Sequence, residues 1–190
     1  MWLNILIAVS IGVLTYGATL YIDHHSMPDE PVEKEIQADG LKIDSIVPDF
    51  SFTATDGKTR KLSDFKDRIV ILNFWASWCA PCVVEFPALI NVAASYDKKE
   101  VVLIALSSDH DPAAMDRFLQ KLDEQKGIDL GLANLLIALD KENAITQGVF
   151  QTFRLPETFI IDGNQKLRQK IIGANWEPDD LQAAIKEIRQ

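Results

Sequence analysis

The sequence predicts an α/β domain, a parallel sheet with helices on both faces and an antiparallel edge. Three observations carry that prediction. Two near-continuous apolar runs, "RIVILNFW" at 68–75 and "VVLIAL" at 101–106, read as strands covered on both faces. Segments of helical periodicity alternate with the strands along the chain. The last two strands, "ETFIID" and "KLRQKIIG", flank Gly163-Asn164 and read as a pair joined by a tight turn.

The first 22 residues contain no Asp, Glu, Lys, Arg or His. From Trp2 to Ile22 the chain is apolar, and as a helix it spans roughly 30 Å, the hydrocarbon thickness of a bilayer. Trp2 and Tyr21 lie at its ends, where amphipathic rings favour the membrane interface. Residues 1–22 therefore read as an N-terminal membrane anchor, with a cleaved signal peptide as the competing reading. Residues 23–45 are polar and acidic, carry Pro28 and Pro31, and read as a tether. Its His24-His25 pair has no third metal ligand nearby and reads as solvated tether.

The globular domain is expected at 46–190. "DFSFTATDGKTRKL" alternates around Asp56-Gly57, a hairpin signal. After the 68–75 strand, residues 80–96 have helical spacing, with Phe86, Leu89, Ile90 and Ala93 on one face and a bend expected at Pro87. Asp111-Pro112 opens the next helix, which runs to about Lys126 and stops at Gly127. "NLLIALD" is the third buried strand, and 142–150 a short helix. A final amphipathic helix at 178–189 opens with Pro178 and two acids. The net charge is −9, and no Lys or Arg cluster offers an electrostatic footprint for nucleic acid.

Both cysteines of the chain stand in "WCAPC", at Cys79 and Cys82. They follow the C-terminal end of a buried strand, where α/β folds place ligand sites, and they open a helix. Helix N-terminal N–H groups favour the thiolate, the reactive species. An i, i+3 spacing brings the two Cα atoms to about 5–6 Å, so a disulfide can close and open without unfolding anything. Pro81 needs no N–H partner in the first helical turn and stiffens the loop between the sulfurs. A zinc site would need about four ligands, and no second CxxC or paired His follows in the domain. A static staple closing so short a loop would remove little chain entropy. The pattern therefore points to redox chemistry.

"LNFWASWCAPCVVEFP", preceded by "PDFSFTATDGKTRKLSDFKDRIVI" and followed by "LPETFIIDGNQKL", resembles the TlpA/ResA/CcmG group of membrane-anchored thioredoxin-like proteins across residues 46–190. The resemblance implies a thioredoxin-like fold: a central mixed sheet flanked by helices, with an N-terminal β-hairpin and an extra helix–strand insertion at about 112–140, preceded by one transmembrane helix. It implies that Cys79 is the exposed nucleophile and Cys82 the resolving thiol. Trp78 would shield the pair and pack against the partner. Pro156 would be a cis-proline facing the cysteines, with Leu155 offering its backbone to a substrate strand. Ala80 and Pro81, between the cysteines, complete the substrate-facing set. Glu85 matches the group's acidic residue, one turn beyond Cys82, where a negative charge raises thiol pKa and can move protons for Cys82. A solvated helix glutamate is the competing reading. Asn73 stands where thioredoxin has a buried Asp. Glu157 is a lesser candidate that can equally point into solvent. Phe153 and Arg154 stand where relatives often have a Gly-containing turn.

The function so implied is reduction of cysteine pairs in exported proteins, with apocytochrome c before haem attachment as the group's best-known substrate. The domain would face the periplasm from a bacterial inner membrane, held in the bilayer through residues 2–22. Electrons would come from a membrane partner of the DsbD or CcdA type. The Cys79–Cys82 couple would be the sole redox centre, without a separate cofactor or metal. Three alternatives stay open: a disulfide oxidase or isomerase, a thiol peroxidase, and a copper-handling protein using the thiols and His110. The peroxidase signature Pro-x-x-x-Thr-x-x-Cys is absent from 74–79.

Overall fold

The computed structural model describes residues 40–189, apart from the side chains of residues 125 and 126. The expected anchor at 1–22 and nearly all of the tether lie outside the described residues. Among the described residues no helix is long and apolar enough to cross a membrane.

Two short strands, β1 (Ser51–Thr53) and β2 (Thr59–Lys61), form the hairpin around Asp56-Gly57. Gly57 takes φ 77, a conformation open to glycine without a Cβ penalty. The hairpin docks on a sheet edge through the Thr55 N–H, which donates to the Ile137 carbonyl at 2.8 Å. The main elements follow: β3 (Ile69–Trp75), α1 (Ala80–Ala94), β4 (Val101–Ser107), α2 (Pro112–Lys126), β5 (Leu135–Leu139), β6 (Glu157–Ile161), β7 (Leu167–Ile172) and α3 (Pro178–Ile188). The sheet order is β5-β4-β3-β6-β7. Strands β3, β4 and β5 run parallel, whereas β6 is antiparallel to β3 and β7 to β6. The sheet is therefore mixed, and its antiparallel part is two strands deep rather than a single edge.

The period of two along each strand divides the core. Ile69, Ile71 and Trp75 of β3 join one apolar cluster, and Val70, Leu72 and Phe74 join the other. All three helices supply buried residues to the first: Phe86 and Leu89 from α1, Met115 and Leu119 from α2, Leu181 and Ile185 from α3. This corrects the expectation of helices on both faces. Strand order explains it. From β3 to β4 to β5 the chain steps in one direction, and two right-handed crossovers made in one direction place both helices on the same face. The opposite face is closed without an α-helix: by Phe50 and Phe52 of the hairpin region, Leu62 and Phe65 of the short 3₁₀ helix Leu62–Phe65, and Ile145 and Phe150.

The helix expected at 142–150 is a 3₁₀ turn at Lys141–Asn143 followed by irregular turns. The cause is Asp140. Its carboxylate accepts the N–H groups of Ile145 and Thr146 at 3.0 and 2.7 Å and the Thr146 hydroxyl at 2.6 Å. At Ile145 and Thr146 a side-chain acceptor thus takes the place of the helical backbone partner, and Glu142 and Asn143 sit at φ 57 and 54. Helix α2 behaves as expected: Asp111 accepts from the Ala113 N–H at 3.0 Å, and Gly127 ends the helix at φ 62. Helix α1 continues through Pro87. At the N-terminal side, Asp44 donates its N–H to the Leu167 carbonyl at 2.7 Å, and Ser45 accepts the Leu167 N–H at 2.9 Å. The backbone thus joins the sheet just upstream of residue 46.

Candidate functional site

Strand β3 ends at Trp75, and four residues later Cys79 caps α1. The Cys79 backbone is extended, with φ −89 and ψ 101, and its Sγ accepts the Cys82 N–H at 3.3 Å. The pair forms a disulfide with the Cα atoms 5.3 Å apart, inside the window the spacing predicted. Cys79 is the outer sulfur, but only 6% exposed, and Cys82 is fully buried. Cys79 is therefore more enclosed than the exposed cysteine that the resemblance implies. Its neighbours Trp78, Ala80 and Pro81 are all exposed, Trp78 to 65%.

The loop that delivers Cys79 is held from β4. Asp109, buried just beyond that strand, accepts the Ser77 N–H at 3.0 Å and the Ser77 hydroxyl at 2.7 Å. Ser107 donates its hydroxyl to the same carboxylate at 2.6 Å and accepts the Asp109 N–H at 3.0 Å. One backbone bond completes the tie, Ser108 N–H to the Trp75 carbonyl at 2.8 Å.

The Leu155-Pro156 bond is cis. Pro156 precedes β6, whose Glu157 pairs with Phe74 and Thr158 with Asn73. Since β6 runs against β3, its start lies beside the end of β3 that leads to the cysteines. Leu155 is half-buried and packs against the apolar cluster that holds Cys79 and Cys82.

Glu85 is not a solvated helix residue, because it is 4% exposed. Its Oε1 accepts from Asn73 Nδ2 at 2.9 Å, and its Oε2 accepts from Trp176 Nε1 at 2.9 Å. The same Asn73 amide group donates to Thr158 Oγ1 at 3.0 Å. Burial pushes the Glu85 carboxyl above its ordinary 4.5, against the lowering effect of the two N–H donors. A carboxyl so placed takes and returns a proton closer to neutral pH than an exposed one. Asn73 of β3 thus acts as a donor to the acid on the helix.

Glu157 is also buried, but on the other face of the sheet. It accepts the Thr152 hydroxyl at 2.5 Å and pairs with Lys170 at 3.1 Å. The reading that pointed it into solvent is corrected, and its partners give it a structural role. Phe153 is 67% exposed between buried Thr152 and half-buried Leu155. His110 is exposed in the stretch between β4 and α2. Two residues of the site were missed from sequence, Asp109 and Trp176. Each bonds across a long stretch of chain, and no local pattern marks either.

The Redoxin family profile matches residues 42–185. The thiol-disulfide oxidoreductase ResA of Bacillus cereus strain ZK / E33L is 34% identical over 148 residues, 78% of this chain and 79% of that protein. ResA of Bacillus cereus strain ATCC 10987 is 30% identical over 172 residues, 90% of this chain and 87% of that protein. Among solved structures, a Chlorobium tepidum protein provisionally named thiol:disulfide interchange protein DsbE is 27% identical. It superposes with a TM-score of 0.66, covering 79% of this chain and 99% of that one.

Proposed function

The chain belongs to the Redoxin family, among its ResA-like thiol-disulfide oxidoreductases, and from that premise we propose that it works as a reductase of cysteine pairs in exported proteins. The observation that carries the direction is the burial of both cysteines and of Glu85 one turn beyond Cys82, a carboxyl whose two hydrogen-bond donors, Asn73 and Trp176, are both neutral. Strong oxidants of this type stabilise the reduced form as a thiolate of very low pKa. A carboxylate beside buried sulfurs does the reverse. It disfavours the thiolate and so favours the state that gives electrons away.

The exchange runs in two steps. In the reduced protein the Cys79 thiolate attacks one sulfur of a substrate disulfide. That S–S bond breaks, a mixed disulfide forms, and the first substrate sulfur leaves as a thiolate and takes a proton. Cys82, deprotonated with Glu85 as acceptor, then attacks the Cys79 sulfur. The mixed disulfide breaks, the second substrate thiol leaves, and the Cys79–Cys82 disulfide remains. Two electrons have passed to the substrate, and a membrane dithiol donor of the DsbD or CcdA type returns them. Pro156, Leu155, Trp78, Ala80 and Pro81 form the surface that receives the substrate strand. Residues 2–22 hold the domain at the outer face of the inner membrane, and apocytochrome c is a substrate of the fitting kind.

The test is the reduction potential of the Cys79–Cys82 couple in the full chain. A value near that of thioredoxin, about −270 mV, supports the reductase, and one near −120 mV reverses the direction.

A further inference from the structure

The short segment Gly173–Trp176, between β7 and α3, touches both flanks of the thiol site. At one end the Gly173 N–H donates to the Pro156 carbonyl at 2.9 Å. At the other, the Trp176 indole N–H donates to Glu85 Oε2 at 2.9 Å, across 91 residues of sequence. Gly173 turns the chain at φ 77, and Trp176 packs half-buried against the cluster that contains the two cysteines. The segment is anchored on its far side too. Glu177 caps α3, and its N–H is held by Asp180 at 2.9 Å.

We infer that Trp176 is a positioning residue for the reaction: its indole N–H fixes the Glu85 carboxyl, while Gly173 of the same brace fixes the cis-proline. The inference rests on the reading of Glu85 as the proton acceptor for Cys82. A carboxylate has only acceptor sites, and each oxygen here meets one N–H. Asn73 of β3 supplies the first, with Thr158 of β6 behind it, and Trp176 supplies the second. On its own helix Glu85 faces Cys82 one turn back. No charged side chain among the described residues contributes to its shift. The indole N–H is thus one of two bonds favouring the ionised form inside a buried site, where such bonds to a charge are strong. Phenylalanine keeps the ring and its packing and removes only that bond.

The experiment uses the reduced full chain in detergent, as wild type, Trp176→Phe, Glu85→Gln and the double variant. Carboxyl ¹³C shifts read the Glu85 titration directly, and the rate of cysteine alkylation against pH reads its effect on the thiols. Trp176→Phe is expected to move the Glu85 titration to higher pH. The Glu85-dependent limb of the alkylation profile should move with it. In the double variant, Trp176→Phe should add nothing beyond Glu85→Gln. An unmoved Glu85 titration, or additive effects on the profile, overturns the inference. If the carboxyl titration moves but Glu85→Gln leaves alkylation unchanged, the positioning bond stands and the proton-acceptor reading falls. Should Trp176→Phe fold poorly, the indole N–H proton resonance of the otherwise native chain gives the answer. It should titrate with Glu85 and lose that pH dependence in Glu85→Gln, and a pH-independent resonance overturns the inference.

Discussion

Asp109 holds Ser77 by both its backbone N–H and its hydroxyl, so the end of one strand fixes the loop that carries Cys79 out of the next. The two residues are 32 apart in sequence. The tie matters because the loop between β3 and α1 is short, and any slack in it would reach the cysteines.

Asp109→Ala should therefore cost stability as well as reactivity. The change leaves the Ser77 and Ser107 donors without their acceptor in a buried site. Each buried group so stranded costs about 1–3 kcal/mol. Urea unfolding should show a loss of roughly 2–4 kcal/mol. The disulfide should also be reduced by dithiothreitol at an altered rate. Native stability together with a native reduction rate would show that the tie is idle.

Cys82→Ser should trap substrates and Cys79→Ser should not. On the proposed mechanism, a mixed disulfide on Cys79 has no internal route of escape once the Cys82 thiol is gone. Non-reducing electrophoresis of cells expressing the full chain should show adducts that dithiothreitol releases. Adducts formed by Cys79→Ser and not by Cys82→Ser would mean that the roles of the two sulfurs are exchanged.

Glu85 gives a pH dependence of known sign. Its folded-state pKa is raised by burial above the ordinary 4.5. Such a group contributes stability that is fully present below the unfolded pKa and is lost as pH rises through the folded one. Glu85→Gln removes this dependence. In urea unfolding, the oxidised wild type should lose stability relative to the variant as pH rises above about 4.5, and level off once Glu85 is ionised. A constant difference between the two across that range would contradict the burial argument.

The parts of this fold that were legible in the sequence are those fixed by neighbours along the chain. The runs at 69–75 and 101–107 are buried at every position, so they carry no alternation and read at once as central strands. The cap at Asp111 and the stop at Gly127 are local chemistry as well. What failed depends on distant partners. The alternation of strands and helices does not contain the strand order, and it is the order that sends both crossover helices, α1 and α2, to one face. The segment after Asp140 has helical spacing, but its donors are taken by a carboxylate. In the site, the cysteines stand out because their spacing is local. The burial of Glu85 comes from β3, β6 and the chain before α3, and nothing in "CVVEFP" discloses it.

Phe150 should be the costliest single truncation outside the site. It is fully buried, with its ring centroid 4.8 Å from Phe159, 5.1 Å from Phe74 and 5.8 Å from Phe50. It carries the face of the sheet that no α-helix covers, so few elements are free to collapse into the space it would leave. Phe150→Ala is expected to destabilise by about 3–5 kcal/mol in urea unfolding. A loss below about 1.5 kcal/mol would mean that this face repacks readily.

Phe153 and Trp78 present aromatic rings to solvent on the two segments that bracket the site, one leading to cis-Pro156 and one to Cys79. Phe153 is not carried on slack chain. Buried Phe150 and Thr152 precede it, and the Thr152 hydroxyl is fixed to Glu157 at 2.5 Å. A ring held out in this way loses little freedom when it meets a partner, which is what makes aromatic anchors effective in recognition. Phe153→Ala should raise KM for a protein disulfide substrate roughly tenfold, the effect of removing one anchor worth about 1.4 kcal/mol. Its kcat should hold, because an aliphatic or aromatic contact to the substrate surface takes no part in the exchange of sulfurs. Reduction of a folded disulfide protein under steady-state conditions measures both constants. A fall in kcat with KM unchanged would place Phe153 in the chemistry instead of the docking surface.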